Sequence, residues 1–185
     1  MNLANAISVA RLCAAPLVVW LILSDELALA FWIFLAAGLS DALDGFIAKR
    51  SGHPSMLGAY LDPLADKALL VAAYIALGDY DEVGDRLPLW LVILVVFRDM
   101  TIVGGAVLFR MLIHTLSMKP LMISKVNTVT QIVLAAVLLG NLGLGLGLGG
   151  LVEVLIYVVA VTTLASGSAY IFEWTRRAAG AETTE

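Results

Sequence analysis

Cysteine is nearly absent from this chain: Cys13 is the only one in 185 residues. That excludes a disulfide framework and a cysteine-rich metal site, and leaves Cys13 as a small apolar residue in a helix. Histidine is almost as scarce. His53 and His114 stand far apart in the sequence, which argues against a histidine metal centre and reads both as solvated loop residues. Charge is thin, at 14% of residues with a net charge of −4, and no nucleic-acid partner is expected. Asn2 and Asn5 take the place of a basic leader, and no small-residue cleavage site follows the first apolar run, so no cleavable signal peptide is expected.

What the chain has in abundance is apolar surface. Hydrophobic residues make up 61% of it and the mean hydropathy is +0.97, far above a soluble domain. The apolar runs predict six membrane helices: Ala6–Leu23, Leu27–Lys49, Leu57–Leu77, Pro88–Ile113, Leu121–Leu142 and Leu148–Trp174. Each is long enough to cross roughly 30 Å of hydrocarbon. Ser24-Asp25-Glu26 and Ser51-Gly52-His53-Pro54 read as turns, and residues 79–86 as an acidic loop. The glycine-leucine run from Gly143 to Gly150 has no following Lys-Ser/Thr and reads as a tight turn at the membrane surface. Residues 1–177 form one membrane domain, and residues 178–185 a small polar tail expected to fray. Trp20, Trp32, Trp90 and Trp174 lie near predicted helix ends, as an interfacial belt requires.

Six helices put both termini on one side. Lys49, Arg50, Arg110, Lys119, Lys125, Arg176 and Arg177 gather on that side, whereas the other carries Arg86 among acidic residues. The positive-inside rule makes the basic side cytoplasmic.

Against this background four aspartates stand out. Asp41, Asp44, Asp62 and Asp66 fall within twenty-six residues, SDALDGFIAKRSGHPSMLGAYLDPLADK being the surrounding segment. A carboxylate at the bilayer centre costs roughly 2.5–3.5 kcal/mol, so four left unpaired would cost on the order of 10 kcal/mol. Asp41 and Asp44 are three apart and share a helix face with Gly45 and Ala48; Gly58, Asp62 and Asp66 recur every four residues. If the two faces meet, four carboxylates surround a pocket lined by small residues. Hard divalent cations bind such oxygens together with substrate phosphates. Metal, phosphate and membrane depth together suggest phosphoryl-group transfer on a lipid. A purely structural set of ion pairs, with Lys67 or Arg98, and a cation-transport site are the competing readings.

The segment from Asp41 to Asp66 resembles the signature of the CDP-alcohol phosphotransferase family, D-x2-D-G-x2-A-R-x8-G-x3-D-x3-D. Asp41, Asp44, Gly45, Ala48, Gly58, Asp62 and Asp66 fall at its positions, and Lys49 stands where the family usually has Arg. Lys keeps the charge without the planar fork. The opening Asn2 to Arg11 and Pro16, FRDMTI at Phe97 to Ile102 and KPLMISKVNTVTQ at Lys119 to Gln131 extend the likeness. It is strongest toward the CMP-forming cardiolipin synthase branch, with the phosphatidylglycerophosphate synthases close by.

The resemblance implies an all-α integral membrane protein: a six-helix bundle with a polar cavity open toward the cytoplasm. It implies a metal-dependent phosphatidyltransferase that takes CDP-diacylglycerol, releases CMP and uses phosphatidylglycerol as acceptor, or glycerol 3-phosphate in the neighbouring branch. Asp41, Asp44, Asp62 and Asp66 would hold two Mg²⁺ or Mn²⁺ ions, with Asp66 as general base. Asp41, Gly45, Ala48, Lys49 and Gly58 would meet the cytidine diphosphate. Lys125, Asn127 and Arg11 would meet acceptor or lipid phosphate. Arg98, followed by Asp99, either does the same or forms a structural pair. Lys67, on a different face from Asp66, is expected to serve helix packing or a headgroup contact. A homodimer in a bacterial inner membrane, its site facing the cytoplasm, completes the expectation.

Overall fold

The computed structural model describes the backbone of residues 3–51, 56–80, 87–113 and 121–182, and the side chains of residues 9–40, 67–80, 87–105 and 121–176. Among the described residues every regular element is helical: α1 (Leu3–Leu23), α2 (Leu27–Ser51), α3 (Met56–Asp79), α4 (Leu89–Ile113), α5 (Met122–Leu144) and α6 (Gly149–Glu182). The ends lie within a few residues of the apolar runs, with one exception. Helix α6 continues to Glu182, through residues expected to fray. Ala178, Ala179 and Ala181 explain this, since alanine propagates a helix better than any other residue.

Two turns fix the geometry of consecutive helices. After α1 the Glu26 N–H donates to the Leu21 carbonyl at 2.9 Å and the Asp25 N–H to that of Ile22 at 3.2 Å, the paired bonds of a Schellman ending. Asp25 takes the left-handed position at φ 64°. After α5 the run of alternating glycines makes the tight turn that its composition predicts. Gly145 and Gly147 have φ of 62° and 67°, values that an L side chain adopts only with strain. The Asn141 Oδ1 accepts from the Leu148 N–H at 2.6 Å and closes the turn.

Most successive helices are antiparallel neighbours, whereas α4 and α5 make no contact among the described residues and have α6 between them. Contacts run from α1 to α3, α3 to α4, α4 to α6, α6 to α5, α5 to α2 and α2 back to α1. The helices therefore close a ring, with α3 also touching α5 and α2.

The bundle is apolar outside as well as inside. Phe97, Met122 and Phe172 are 69%, 72% and 70% exposed, and Trp20, Trp32 and Trp90 are exposed near the end that carries Asp25. Water would penalise such a surface; a bilayer solvates it. The described stretches Met122–Leu144 and Gly149–Arg176 are each long and apolar enough to cross a membrane.

Inside, the two ends of the bundle differ. Toward the Asp25 end, Val18, Leu21, Ile22, Leu77, Leu91, Val95, Leu138 and Leu139 pack with almost no exposure. Toward the opposite end lie the buried polar groups Arg11, Arg98, Asp99, Asn127, Gln131, Thr163 and Ser166. Polar residues that face a membrane-bundle interior mark where function resides.

Candidate active site

The polar end is built where α2 finishes and α3 begins. Both aspartate pairs fall in unbroken helix: Asp41 and Asp44 in the second half of α2, Asp62 and Asp66 in the first half of α3. Their side chains, and those of Gly45, Ala48, Lys49 and Gly58, lie outside the described residues. Helices α2 and α3 are in contact, as a shared carboxylate set requires. A four-carboxylate donor set matches the hard-oxygen preference of Mg²⁺ or Mn²⁺. Among the residues whose side chains are described there is no competing group of three or more His, Cys, Asp or Glu.

Next to this segment is a cavity of about 110 Å³, lined by Arg11, Phe34, Gly38, Lys67, Leu69, Leu70, Thr128 and Ile132. Gly38 precedes Asp41 by one turn of α2, and Lys67 follows Asp66 directly in α3. The cavity thus adjoins the aspartate segment on its inner side. Two cationic residues and Thr128 sit in its wall among apolar side chains. Ile132 of α5 is 39% exposed.

Behind the cavity a chain of charged and hydroxyl groups ties α3, α4, α5 and α6 together. The Lys67 ammonium donates to Asp99 Oδ2 at 2.7 Å. Arg98 donates to Asp99 Oδ1, also at 2.7 Å. The same guanidinium donates to the hydroxyls of Ser124, at 2.7 Å, and Ser166. Arg98 and Asp99 are 4% and 5% exposed, whereas Lys67 keeps 34%. The buried pair therefore forms a base, and the ammonium is its outlet toward the cavity. Two cations flank one carboxylate, which leaves a positive charge in excess at this point. Charge-assisted bonds of this length are the strong ones, and each partner satisfies a group that burial would otherwise penalise.

The other expected phosphate contacts are dispersed. Arg11 is 3% exposed and lines the cavity. Lys125 is exposed in the first turn of α5 and does not line it. Asn127 is fully buried, and its Oδ1 accepts from Thr162 and Thr163, each at 2.9 Å, which fastens α5 to α6. Its Nδ2 and both amide atoms of Gln131, one turn further along α5, have no hydrogen-bond partner among the described residues. Arg98 belongs to the charged network rather than to the cavity wall.

Several members of this site escape a reading by spacing alone. Lys67 makes the packing contact expected of it, with Asp99, but also reaches the cavity. Ser124, Thr162, Thr163 and Ser166 are single hydroxyls in apolar helices. Their only signal is that a polar group inside a bilayer needs a partner.

The family model for CDP-alcohol phosphatidyltransferases matches residues 1–165. Among curated relatives, the chloroplastic CDP-diacylglycerol–glycerol-3-phosphate 3-phosphatidyltransferase 1 of rice is 39% identical, covering 92% of this chain and 56% of the rice protein. The rat cardiolipin synthase (CMP-forming) is 34% identical, covering 90% of this chain and 59% of the rat protein. The CDP-diacylglycerol–glycerol-3-phosphate 3-phosphatidyltransferase of Bacillus subtilis is 30% identical, covering 91% of this chain and 93% of the relative. The chain thus spans little more than half the length of the rice and rat proteins. These relatives are transferases of two acceptor types at similar identity, and the family match extends over both aspartate pairs and the charged network behind them. The chain belongs to the CDP-alcohol phosphatidyltransferase family.

Proposed function

We propose that this chain is a metal-dependent cardiolipin synthase of the CMP-forming kind, moving the phosphatidyl group of CDP-diacylglycerol onto phosphatidylglycerol. The observation that carries the choice of acceptor is the character of the cavity: Arg11, Lys67 and the hydroxyl residue Thr128 in a wall whose other side chains are those of Phe34, Leu69, Leu70 and Ile132, with Gly38 beside them. An anion joined to a hydrocarbon matches such a wall, and a small soluble acceptor has no use for most of it.

The chemistry is a displacement at phosphorus. The terminal hydroxyl oxygen of the acceptor bonds to the phosphorus that carries diacylglycerol. The bond from that phosphorus to the bridging oxygen of the pyrophosphate breaks, and its electron pair leaves with CMP. Asp66 takes the hydroxyl proton. An ordinary carboxylate pKa of about 3.9 makes it a weak base, so closeness and alignment of the acceptor contribute much of the rate. Asp41, Asp44, Asp62 and Asp66 would hold two Mg²⁺ or Mn²⁺ ions, which supply charge neutralisation on the phosphates. Gly45, Ala48 and Gly58 leave room for the nucleotide, and Lys49 meets a donor phosphate.

The reading includes a six-span bundle in a bacterial inner membrane, with the site on the cytoplasmic side and two copies per assembly. The clustering of Lys and Arg on the aspartate side supports that orientation. The packed apolar end speaks against a cation transporter, because ions need a polar path through both halves.

A phosphatidylglycerophosphate synthase is the second reading. It is favoured by the 39% identity to the rice relative and by the end-to-end likeness to the Bacillus relative. CMP release from CDP-diacylglycerol by purified protein in detergent with Mg²⁺ separates the two. Release with phosphatidylglycerol but not glycerol 3-phosphate is the expected result; the reverse establishes the second reading.

A further inference from the structure

We infer that Lys67 is the anion-binding residue for the acceptor's phosphate, and that Asp99, itself held by Arg98, is the positioning residue that aims it. This rests on the proposed transfer to a glycerol-phosphate acceptor and gives one of the two cations in the cavity wall a specific role in it.

Lys67 has the three properties that such a role needs. Its side chain lines the cavity. It follows Asp66 in the sequence, about 100° further round α3, and lines the cavity that adjoins the aspartate segment, so a phosphate one glycerol unit from a hydroxyl at that segment has the cavity to occupy. It is anchored at its rear by the Asp99 carboxylate at 2.7 Å, yet retains 34% exposure, so part of the ammonium remains available. An ammonium has three N–H donors, and the bond to Asp99 uses one.

The geometry behind Lys67 separates aiming from neutralising. Asp99 alone would cancel the ammonium charge. Arg98, at 2.7 Å from the other Asp99 oxygen, restores one positive charge to the cluster, and Ser124 and Ser166 fix the guanidinium in turn. Arg11 adds a second cation to the same cavity. A phosphodiester and a phosphomonoester both fit this charge. The glycerol phosphate common to phosphatidylglycerol and glycerol 3-phosphate is therefore the ligand class.

The test uses full-length protein in mixed micelles, with kinetics for each substrate in turn. Lys67→Gln is expected to raise the acceptor KM on the order of tenfold, as loss of a charge-assisted bond implies, while the CDP-diacylglycerol KM and kcat change little. Lys67→Arg restores most of the acceptor KM. Asp99→Asn raises it less than Lys67→Gln does, because the ammonium is present but no longer held. Running the series with phosphatidylglycerol and with sn-glycerol 3-phosphate tells whether the anion arrives on a lipid or free in water. A wild-type acceptor KM in Lys67→Gln, or a fall in kcat and melting temperature with KM unchanged in both variants, overturns the inference and leaves the activity intact. If the unmodified protein releases no CMP with either acceptor, the proposed function fails, and binding decides the matter. Thermal stabilisation of metal-free protein by inorganic phosphate that disappears in Lys67→Gln supports the Lys67 site; no stabilisation of the unmodified protein removes it.

Discussion

The Tyr74 hydroxyl, fully buried in α3, donates to the main-chain carbonyl of Gln131 in α5 at 3.1 Å. This bond lies where the polar end of the bundle gives way to the apolar end, and it joins two helices that do not follow one another in the chain. Removing it as Tyr74→Phe keeps the ring and its packing. A loss of about 1 kcal/mol in stability is expected, read as a lower unfolding midpoint in detergent, with CMP release per folded molecule preserved.

The proposed aspartate roles distinguish metal binding from proton transfer. Asp44→Ala and Asp62→Ala are each expected to abolish turnover and to weaken Mg²⁺ or Mn²⁺ binding measured by titration calorimetry. Asp66→Asn is expected to abolish turnover while CDP-diacylglycerol still binds, because the amide occupies the carboxylate's volume without its basicity. Chelation should silence the unmodified enzyme reversibly. An active Asp66→Asn variant assigns the proton to another group.

Gly143 sits against the start of α2. A Cβ there would come within 2.5 Å of the Ala28 nitrogen and 2.6 Å of the Leu27 carbonyl carbon. These are backbone atoms and cannot swing aside. Gly143→Ala is therefore expected to cost roughly 1–3 kcal/mol through overpacking. Gly150→Ala meets nothing within 4 Å and should leave the melting temperature unchanged or raise it. Equal melting temperatures for the two variants would show that α2 and α5 separate more easily than this contact implies.

Asn127 holds the hydroxyls of Thr162 and Thr163 on one oxygen. A double-mutant cycle between Asn127→Leu and Thr163→Val should give a coupling of about 0.6–1.7 kcal/mol, the range for hydrogen bonds between membrane helices. Additive effects would place Asn127 outside the packing of α5 against α6.

The helices were legible because hydrocarbon imposes a minimum apolar length and every run meets it. The alternating glycines announced their turn for a similarly local reason, since Gly145 and Gly147 occupy φ values open to few other residues. The aspartate spacing predicted helix at both pairs, and both pairs fall in helix, because i, i+3 and i, i+4 positions need no knowledge of the rest of the fold. The Lys67–Asp99 pairing is of another kind. Its partners are 32 residues apart, on helices whose adjacency depends on the ring order, and no periodicity encodes that order. Asn127 shows the same gap: a sequence reading sees an amide beside Lys125, while its oxygen is engaged by α6. The end of α6 differed from expectation because small residues read as a tail by polarity and as helix by propensity.

The packed apolar end has a consequence for where the product appears. Among the described residues, Val18, Leu21, Leu77, Leu91 and Leu138 fill the interior between the polar cavity and the Asp25 side. A bundle of this construction exchanges headgroups with one monolayer only. Under the proposed transfer to phosphatidylglycerol, each turnover would add a four-tailed product to a single leaflet and withdraw two lipids from it, so that synthesis itself would create a transbilayer asymmetry. Balancing that asymmetry falls to lipid flip-flop, outside this protein.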